Sequence, residues 1–236
     1  MADTISKIFK DTLLSKEAGQ LKLLGDSITH GVGGTGFAQS GEPIVAIFSR
    51  NPDGYCWANL MRDYLAKKYG CRVVNNACTG RTIEFIIQHF DKLVDEKDDL
   101  IICTIGTNNR HQYFVHGPKM SKEELLEKFY ANIVKLHGMF KAANKTVIFV
   151  ANIPATGKQE QDGVDYWRIA HMWDINDTYK QASKELGFPL ISMYDLFTEY
   201  YEKNNISLDS LLKDELHPND EGYRIMFELF KGVLGV

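Results

Sequence analysis

Five short apolar runs, separated by longer segments with helical periodicity, constrain the fold of this chain more than any other feature. The runs are nearly continuous rather than alternating, which is typical of parallel strands that are buried on both faces. They fall at residues 21–24, 72–75, 100–105, 146–153 and 190–194. Helices are predicted between and after them, with Asn219 as the N-cap of the last one, at residues 54–69, 82–94, 122–143, 166–186 and 220–233.

Strands that alternate with helices through right-handed crossovers form a doubly wound parallel sheet with helices on both faces. We therefore predict a three-layer α/β/α fold whose five-stranded sheet has the flavodoxin-like order 2-1-3-4-5. A chain of 236 residues is long enough for one such domain, and nothing in it indicates a boundary. A single domain over residues 1–236 is expected, with residues 1–20 as an N-terminal helical extension.

Composition excludes several classes of protein. The net charge is −4, and the basic residues are scattered among acidic ones, so a nucleic-acid partner is not expected. No apolar run is long enough for a membrane span, and the N-terminus lacks the apolar core of a signal peptide, which favours a cytoplasmic protein. No cysteine or histidine pair has the spacing of metal ligands, so neither a metal nor another cofactor is expected.

Polar motifs follow three of the predicted strands at their carboxyl ends, where doubly wound sheets bind ligands. Residues 25–27 follow the first strand, residues 75–80 the second and residues 106–109 the third. A fourth polar motif, at residues 214–218, precedes the last helix. We expect all four motifs to meet at one edge of the sheet.

The first and last of these motifs contain the groups of a serine hydrolase. A serine hydroxyl is a poor nucleophile until a base takes its proton, and a histidine base works best when a carboxylate holds its other nitrogen. Ser27 comes directly after a predicted strand, and His217 follows Asp214 by three residues. One loop or helical turn can therefore present the carboxylate and the imidazole on the same side.

Ester cleavage also needs hydrogen-bond donors for the oxygen that becomes negative. The backbone N–H groups of Ser27 and Gly80 and the side-chain amide of Asn108 are candidates. Each residue also has a structural explanation, since Gly80 suits a turn with positive φ and Asn108 an Asx turn. The joint pattern, rather than any single residue, favours catalysis.

The ordered blocks resemble the SGNH family of serine esterases, also called GDSL hydrolases. Ser27, Gly80, Asn108 and His217 match the four letters of that name, and the resemblance runs from about residue 21 to the C-terminus. It implies an α/β/α fold and hydrolysis through an acyl-serine intermediate. It also implies that Ser27 is the nucleophile, His217 the base and Asp214 the residue that orients the base.

Two departures from the family pattern concern candidate substrate contacts. Asn109 stands where members usually have aspartate, and Arg81 follows Gly80 where many have an acidic residue. Arg81 fits either an anionic substrate or a salt bridge at the start of a helix. The candidate substrate-binding residues are Asp26, Arg81, Asn109 and Trp167.

Aromatic residues and a glycine-rich stretch have two explanations each. Tyr166, Trp167 and Trp173 fit a helix core or, alternatively, an aromatic wall for a sugar or acyl group. Residues 31–36 spell GxGxxG, but no helix is predicted there and the second strand ends in asparagines, so a nucleotide site is not expected. His30, three residues after Ser27, fits either a contact with the site or a turn histidine bonded to the backbone.

The sequence thus predicts a serine esterase that cleaves a short acyl ester, such as an acetyl ester, on a small molecule or carbohydrate. The long loop at residues 32–53 has an apolar patch flanked by charged residues, and the loop at residues 154–165 is polar; together they suit a short acyl group on a polar carrier. The apolar patch at residues 44–48 is alternatively a subunit contact, consistent with a homodimer. An acyltransferase with the same residues and a catalytically idle binding module remain as alternatives.

Overall fold

The computed structural model describes residues 2–37, 51–112, 120–162 and 167–236. Parallel strands form one five-stranded sheet in the order β2-β1-β3-β4-β5. The strands are β1 (Gln20–Gly25), β2 (Arg72–Asn75), β3 (Leu100–Thr104), β4 (Thr146–Ala151) and β5 (Leu190–Ser192). The predicted strand order and the three-layer α/β/α fold are confirmed.

Helices connect and cover the strands. They are α1 (Ala2–Phe9), α2 (Ser27–His30), α3 (Trp57–Tyr69), α4 (Ile83–Gln88), α5 (Phe90–Leu93), α6 (Lys122–Ala142), α7 (Met172–Leu186), α8 (Met193–Lys203) and α9 (Asp220–Leu234). A π-helical turn, Lys10–Leu14, extends α1, and 3₁₀ turns cover Thr107–Arg110, Gly157–Gln159 and Leu208–Leu211. None of the helices in the four described ranges is long and apolar enough to cross a membrane.

The sheet separates two hydrophobic cores. On β3, Leu100 and Ile102 face the core formed with α1, α3, α8 and α9, whereas Ile101 and Cys103 face the core formed with α4, α5, α6 and α7. Successive side chains of a strand point to opposite faces, so a strand that is buried on both faces needs apolar residues throughout. This burial explains why the strand runs in the sequence are continuous.

Three of the differences between the predicted and the observed elements have a visible physical reason. The fifth strand was expected to reach residue 194 but ends at Ser192, whose hydroxyl accepts a hydrogen bond from the Asp195 N–H (3.1 Å) and caps α8, which was not predicted. The predicted helix at residues 82–94 is divided at His89, where the backbone leaves helical geometry (φ −112°, ψ 20°). The helix expected from residue 166 begins at Met172, because Ile169 N–H instead bonds to the carbonyl of Arg110 (2.8 Å).

The ends of the chain pack together. α1 and the π-helical turn bury Ile5, Phe9 and Leu13 in the same core as α9. α9 begins as predicted, with the Asn219 side chain accepting a hydrogen bond from the Gly222 N–H (3.0 Å). This cap fixes where the loop that carries Asp214 and His217 ends.

Candidate active site

Ser27 lies at the carboxyl end of β1, as the first residue of α2. Asp26 is the N-cap of that turn, and its carboxylate accepts a hydrogen bond from the Ile28 N–H (3.1 Å). Gly31 ends the turn with a φ of 106°, a backbone conformation that residues other than glycine rarely adopt. The short turn leaves Ser27 4% exposed, with its hydroxyl directed at the loop before α9.

The predicted serine, histidine and aspartate form one hydrogen-bonded series. Ser27 Oγ lies 2.8 Å from His217 Nε2, and His217 Nδ1 lies 2.8 Å from Asp214 Oδ2 and 3.0 Å from Asp214 Oδ1. A carboxylate beside Nδ1 favours the tautomer that carries its proton there, which leaves Nε2 free to accept the proton of Ser27. The arrangement is therefore that of a nucleophile, a base and a residue that orients the base.

Asp214 is fixed by its own loop. Its carboxylate accepts hydrogen bonds from the backbone N–H groups of His217 (2.8 Å) and Leu216 (3.3 Å), in addition to the imidazole. Burial opposes ionisation of Asp214, but the hydrogen bonds from the His217 backbone and side chain outweigh it and lower the pKa. Asp214 is accordingly held in the charged state that stabilises an imidazolium at His217.

Gly80 and Asn108 lie in the segments that follow the two strands flanking β1. Gly80 follows β2 with a φ of 74°, and Asn108 is in the 3₁₀ turn that follows β3. One amide hydrogen of Asn108 is used in a bond to the Arg81 carbonyl (2.8 Å), which joins this side chain to the segment of Gly80. An amide has two such hydrogens, so the second can serve another acceptor.

His30 connects the serine turn to the Gly80 segment. Its Nδ1 lies 2.8 Å from the hydroxyl of Thr79, the residue before Gly80. The ring is buried, and its Nε2 has no hydrogen-bond partner in the described part of the chain. Burial lowers the pKa of His30 from 6.5 to about 4, so the ring is neutral and its role is to join two backbone segments rather than to carry charge.

Asp26, a candidate for substrate binding, is not placed to touch a substrate. It is fully buried, and its second carboxylate oxygen accepts a hydrogen bond from Asn152 Nδ2 (3.1 Å). The same Nδ2 bonds to the Thr107 hydroxyl (2.8 Å). Burial raises the pKa of Asp26 to about 6, although hydrogen bonds from Thr107 and Ile28 act in the opposite direction. Asp26 therefore joins the ends of β1, β3 and β4.

Asn109, a second candidate, is also buried. Its Oδ1 accepts a hydrogen bond from the Ile83 N–H (3.0 Å), and its Nδ2 donates to Glu84 Oε2 (2.8 Å). The amide supplies a donor to Glu84 that the usual aspartate lacks when ionised. Asn109 thus supports the start of α4, and a substrate contact by this residue stays a prediction.

Arg81 is half-buried. Its guanidinium lies over the ring of Phe85, 4.2 Å from the centroid, and its Nε donates to Cys78 Sγ (3.4 Å). A cation over an aromatic face is a stabilising contact within the protein. The carbonyl of Arg81, rather than its charge, is what contacts Asn108.

Trp167 and Trp173 are 44% and 41% exposed, so the helix-core interpretation is wrong for both. The Trp167 carbonyl accepts a hydrogen bond from the Gln112 N–H (2.8 Å), shortly after the turn of Asn108. Trp173 stacks on the ring of His171 with the centroids 3.9 Å apart. Tyr166 and the apolar patch at residues 44–48 lie outside the described residues.

Three residues that contribute to the site were not predicted from the sequence. Asn152 directly follows β4, and the rule that carboxyl ends of strands form the site would have found it. Glu215 lies inside one of the predicted motifs and Arg110 directly follows another, but both contact a distant loop. The sequence carried no signal for those contacts.

Comparison with known proteins identifies the family. The model of the GDSL-like lipase/acylhydrolase family matches residues 23–225. The chain belongs to this family. It is a hydrolase of carboxylic esters, and the resemblance drawn from its motifs is confirmed. None of the curated proteins matches the sequence.

Solved structures of similar fold support the architecture. An acetylxylan esterase from Geobacillus stearothermophilus is 24% identical with a TM-score of 0.67, covering 94% of this chain and 97% of its own. An α/β hydrolase enzyme from the metagenome of Lake Arreo, Spain, is 19% identical with a TM-score of 0.68, covering 94% and 98%. A GDSL-like lipase candidate from Parabacteroides merdae is 15% identical with a TM-score of 0.70, covering 93% and 97%.

Proposed function

We propose that the protein is a serine esterase that removes a short acyl group, acetyl above all, from an ester of a small molecule or carbohydrate. The observation that carries this proposal is the series of short contacts from Ser27 Oγ through His217 to Asp214. It supplies a nucleophile whose proton has an acceptor within hydrogen-bond reach.

In the first half-reaction, His217 Nε2 takes the hydroxyl proton while Ser27 Oγ bonds to the ester carbonyl carbon. The carbonyl π electrons move to the oxygen, which becomes the oxyanion of a tetrahedral intermediate. The backbone N–H groups of Ser27 and Gly80 and the remaining amide hydrogen of Asn108 are the proposed donors to that oxygen. The intermediate collapses as His217 gives its proton to the leaving alcohol.

In the second half-reaction, water attacks the acyl-serine and His217 takes the water proton. The second tetrahedral intermediate releases the carboxylic acid and returns the proton to Ser27 Oγ. Asp214 keeps the imidazole in one orientation and stabilises its positive charge during both steps. Its position opposite Nδ1 is the basis for this role.

The surface around the site favours a polar acyl carrier. The loop after β4 exposes Lys158, Gln161 and Asp162, and the side chain of Trp167 is 44% exposed. Polar groups combined with an aromatic face suit a carbohydrate better than a fatty chain. The similarity in fold to an acetylxylan esterase agrees with this substrate class.

An acyltransferase would use the same residues, with a sugar hydroxyl in place of water. Product analysis with an added acceptor distinguishes the two, because a transferase forms a new ester and a hydrolase forms the free acid. The assembled Ser27–His217 contact argues against an idle binding module. The single domain, the cytoplasmic location and the homodimer stay predictions from the sequence.

Replacement of the nucleophile tests the proposal. Ser27→Ala should abolish hydrolysis of p-nitrophenyl acetate and labelling by a fluorophosphonate probe, while the melting temperature stays near that of the wild type. Ser207→Ala, at an exposed serine before the last 3₁₀ turn, is the matched control and should retain both activities. Substantial turnover by Ser27→Ala would exclude the acyl-serine mechanism.

A further inference from the structure

Glu215, between the proposed catalytic residues Asp214 and His217, has an unusual backbone conformation. Its φ is 68°, in the left-handed region that residues other than Gly, Asn and Asp seldom occupy. Such a conformation persists only where the surrounding structure fixes it, and it is found disproportionately at functional sites. The contacts of Glu215 show what fixes it.

Both the backbone and the side chain of Glu215 bind the loop that follows β4. The Glu215 carbonyl accepts a hydrogen bond from the Thr156 N–H (2.8 Å), and its Oε2 accepts one from the Lys158 N–H (3.0 Å). Gly157 lies between these donors, and a Cβ there would come within 2.6 Å of Glu215 Cδ. The carboxylate therefore sits where only a glycine leaves room for it.

The other end of the same loop binds the turn of Asn108. Gln159 and Glu160 accept hydrogen bonds from Arg110 Nη1, at 3.1 Å to the Gln159 carbonyl and 3.0 Å to Glu160 Oε1. Arg110 is fully buried, and its Nε donates to the carbonyl of Thr107 (3.0 Å). This guanidinium thus holds the loop against the 3₁₀ turn Thr107–Arg110.

We propose that Glu215 is a positioning residue. Through residues 156–160 and Arg110, it fixes the distance between the loop that carries Asp214 and His217 and the turn Thr107–Arg110, which carries the proposed oxyanion donor Asn108. The base and the oxyanion donors come from parts of the chain that are distant in sequence, and they must act on one carbonyl group. The connection through Glu215 fixes their separation. This inference rests on the esterase mechanism proposed above.

Three substitutions of Glu215 separate positioning from stability. Glu215→Ala and Glu215→Gly should each lower kcat roughly tenfold with KM nearly unchanged, less than the 10²-fold that a misplacement of about 1 Å can cost. Glu215→Gln keeps an acceptor for Lys158 and should restore kcat. Glycine adopts a positive φ without strain. The melting temperature of Glu215→Gly should therefore be no lower than that of Glu215→Ala, although the two variants have the same reduced kcat.

The contact with Gly157 provides a second, independent test. Gly157→Ala should lower kcat in the wild type, because its Cβ displaces the Glu215 carboxylate. In the Glu215→Ala background the obstructing atoms are gone and only the backbone strain at position 157 (φ 51°) remains, so the same substitution should lower kcat clearly less than it does in the wild type. Additive losses of kcat in the double variant would contradict the proposal.

Labelling and surface controls complete the experiment. The fluorophosphonate probe should label all molecules of Glu215→Ala, but more slowly than the wild type, whereas a defect in folding would reduce the labelled fraction. Glu199→Ala, at an exposed glutamate of α8, should match the wild type. An unchanged kcat in Glu215→Ala, or a loss of kcat that is proportional to the loss of folded protein, would overturn the role of Glu215. Activity in Ser27→Ala would instead overturn the esterase mechanism on which this role depends.

Discussion

The two buried titratable residues on either side of Ser27 should affect stability with opposite dependence on pH. Asp26 is fully buried, and desolvation raises its pKa from 3.8 to about 6. His30 is also buried, and desolvation lowers its pKa from 6.5 to about 4. Both groups therefore titrate differently in the folded and unfolded states between about pH 4 and pH 6.

The sign differs because one group is an acid and the other a base. Between pH 4 and 6, folded Asp26 holds a proton that the unfolded chain has lost, so this residue makes stability fall as pH rises. The rise from 3.8 to about 6, at about 1.4 kcal/mol per pKa unit, corresponds to about 3 kcal/mol. His30 binds its proton only in the unfolded chain over this window, so it makes stability rise with pH.

In the wild type the two contributions largely cancel, and single substitutions should reveal them. Asp26→Asn keeps the acceptor for the Ile28 N–H, and the buried Asn152 Oδ1, which has no partner among the described residues, can accept the new amide if the Asn152 side chain reverses. This variant should match the wild type near pH 4 and exceed it by up to about 3 kcal/mol at pH 8. His30→Asn retains a polar group for Thr79. Its free energy of unfolding should fall relative to that of the wild type as pH rises from 4 to 6, because the contribution of His30 is missing.

Urea unfolding of each variant and the wild type at several pH values from 4 to 8 measures these differences. Subtracting the wild-type curve removes the contributions of all other titrating groups, which the variants share. Asp209→Asn, at an exposed aspartate, controls for the loss of one negative charge and should give a nearly flat difference. A flat difference for Asp26→Asn, or one that is largest at pH 4, would refute the assignment of the raised pKa to its buried carboxyl.

Three further predictions concern the reaction. His217→Ala should cost as much activity as Ser27→Ala, and Asp214→Ala should cost less, because the base remains when its partner is lost; equal activity of His217→Ala and the wild type on p-nitrophenyl acetate would remove the histidine from the mechanism. Asn108→Ala should lower kcat by roughly 10²–10³ with KM unchanged; a raised KM with intact kcat would make Asn108 a ground-state contact. Acetyl and butyryl p-nitrophenyl esters should be hydrolysed faster than esters of about ten or more carbons below micelle formation, since the loop after β4 exposes polar residues; the reverse order would indicate an apolar acyl channel.

The sequence was sufficient to predict the sheet, because burial on both faces demands apolar strands whatever the details of packing. It was not sufficient for α8. Residues 190–194 are apolar enough to continue the strand, and the residue that stops it, Ser192, acts through a hydrogen bond to Asp195 that composition does not show. The break at His89 likewise has no signal in the sequence, since neither glycine nor proline occurs there.

For the site, the motifs were sufficient to predict that Ser27, Asp214 and His217 lie together, because all three belong to recognised blocks. They were not sufficient to separate substrate contacts from supports. The buried carboxylate of Asp26 accepts a hydrogen bond from Asn152, which is 126 positions away in the chain, and only the sheet order brings the two residues together. A polar residue beside a nucleophile fits solvent and interior equally well until its neighbours from other strands are known.

The buried carboxylate of Asp26 shows how stability and chemistry oppose each other at this edge of the sheet. At a pH above about 6, Asp26 is charged inside the protein, and desolvation makes that charge unfavourable for the fold. The same charge attracts a positively charged His217, and this attraction is among the contributions that lower the pKa of Asp26. In the proposed mechanism His217 becomes positive when Ser27 loses its proton, so a charged Asp26 would favour that step. An asparagine would give a more stable protein and a less favourable field for the imidazolium, which is the trade-off between stability and activity expected at an active site.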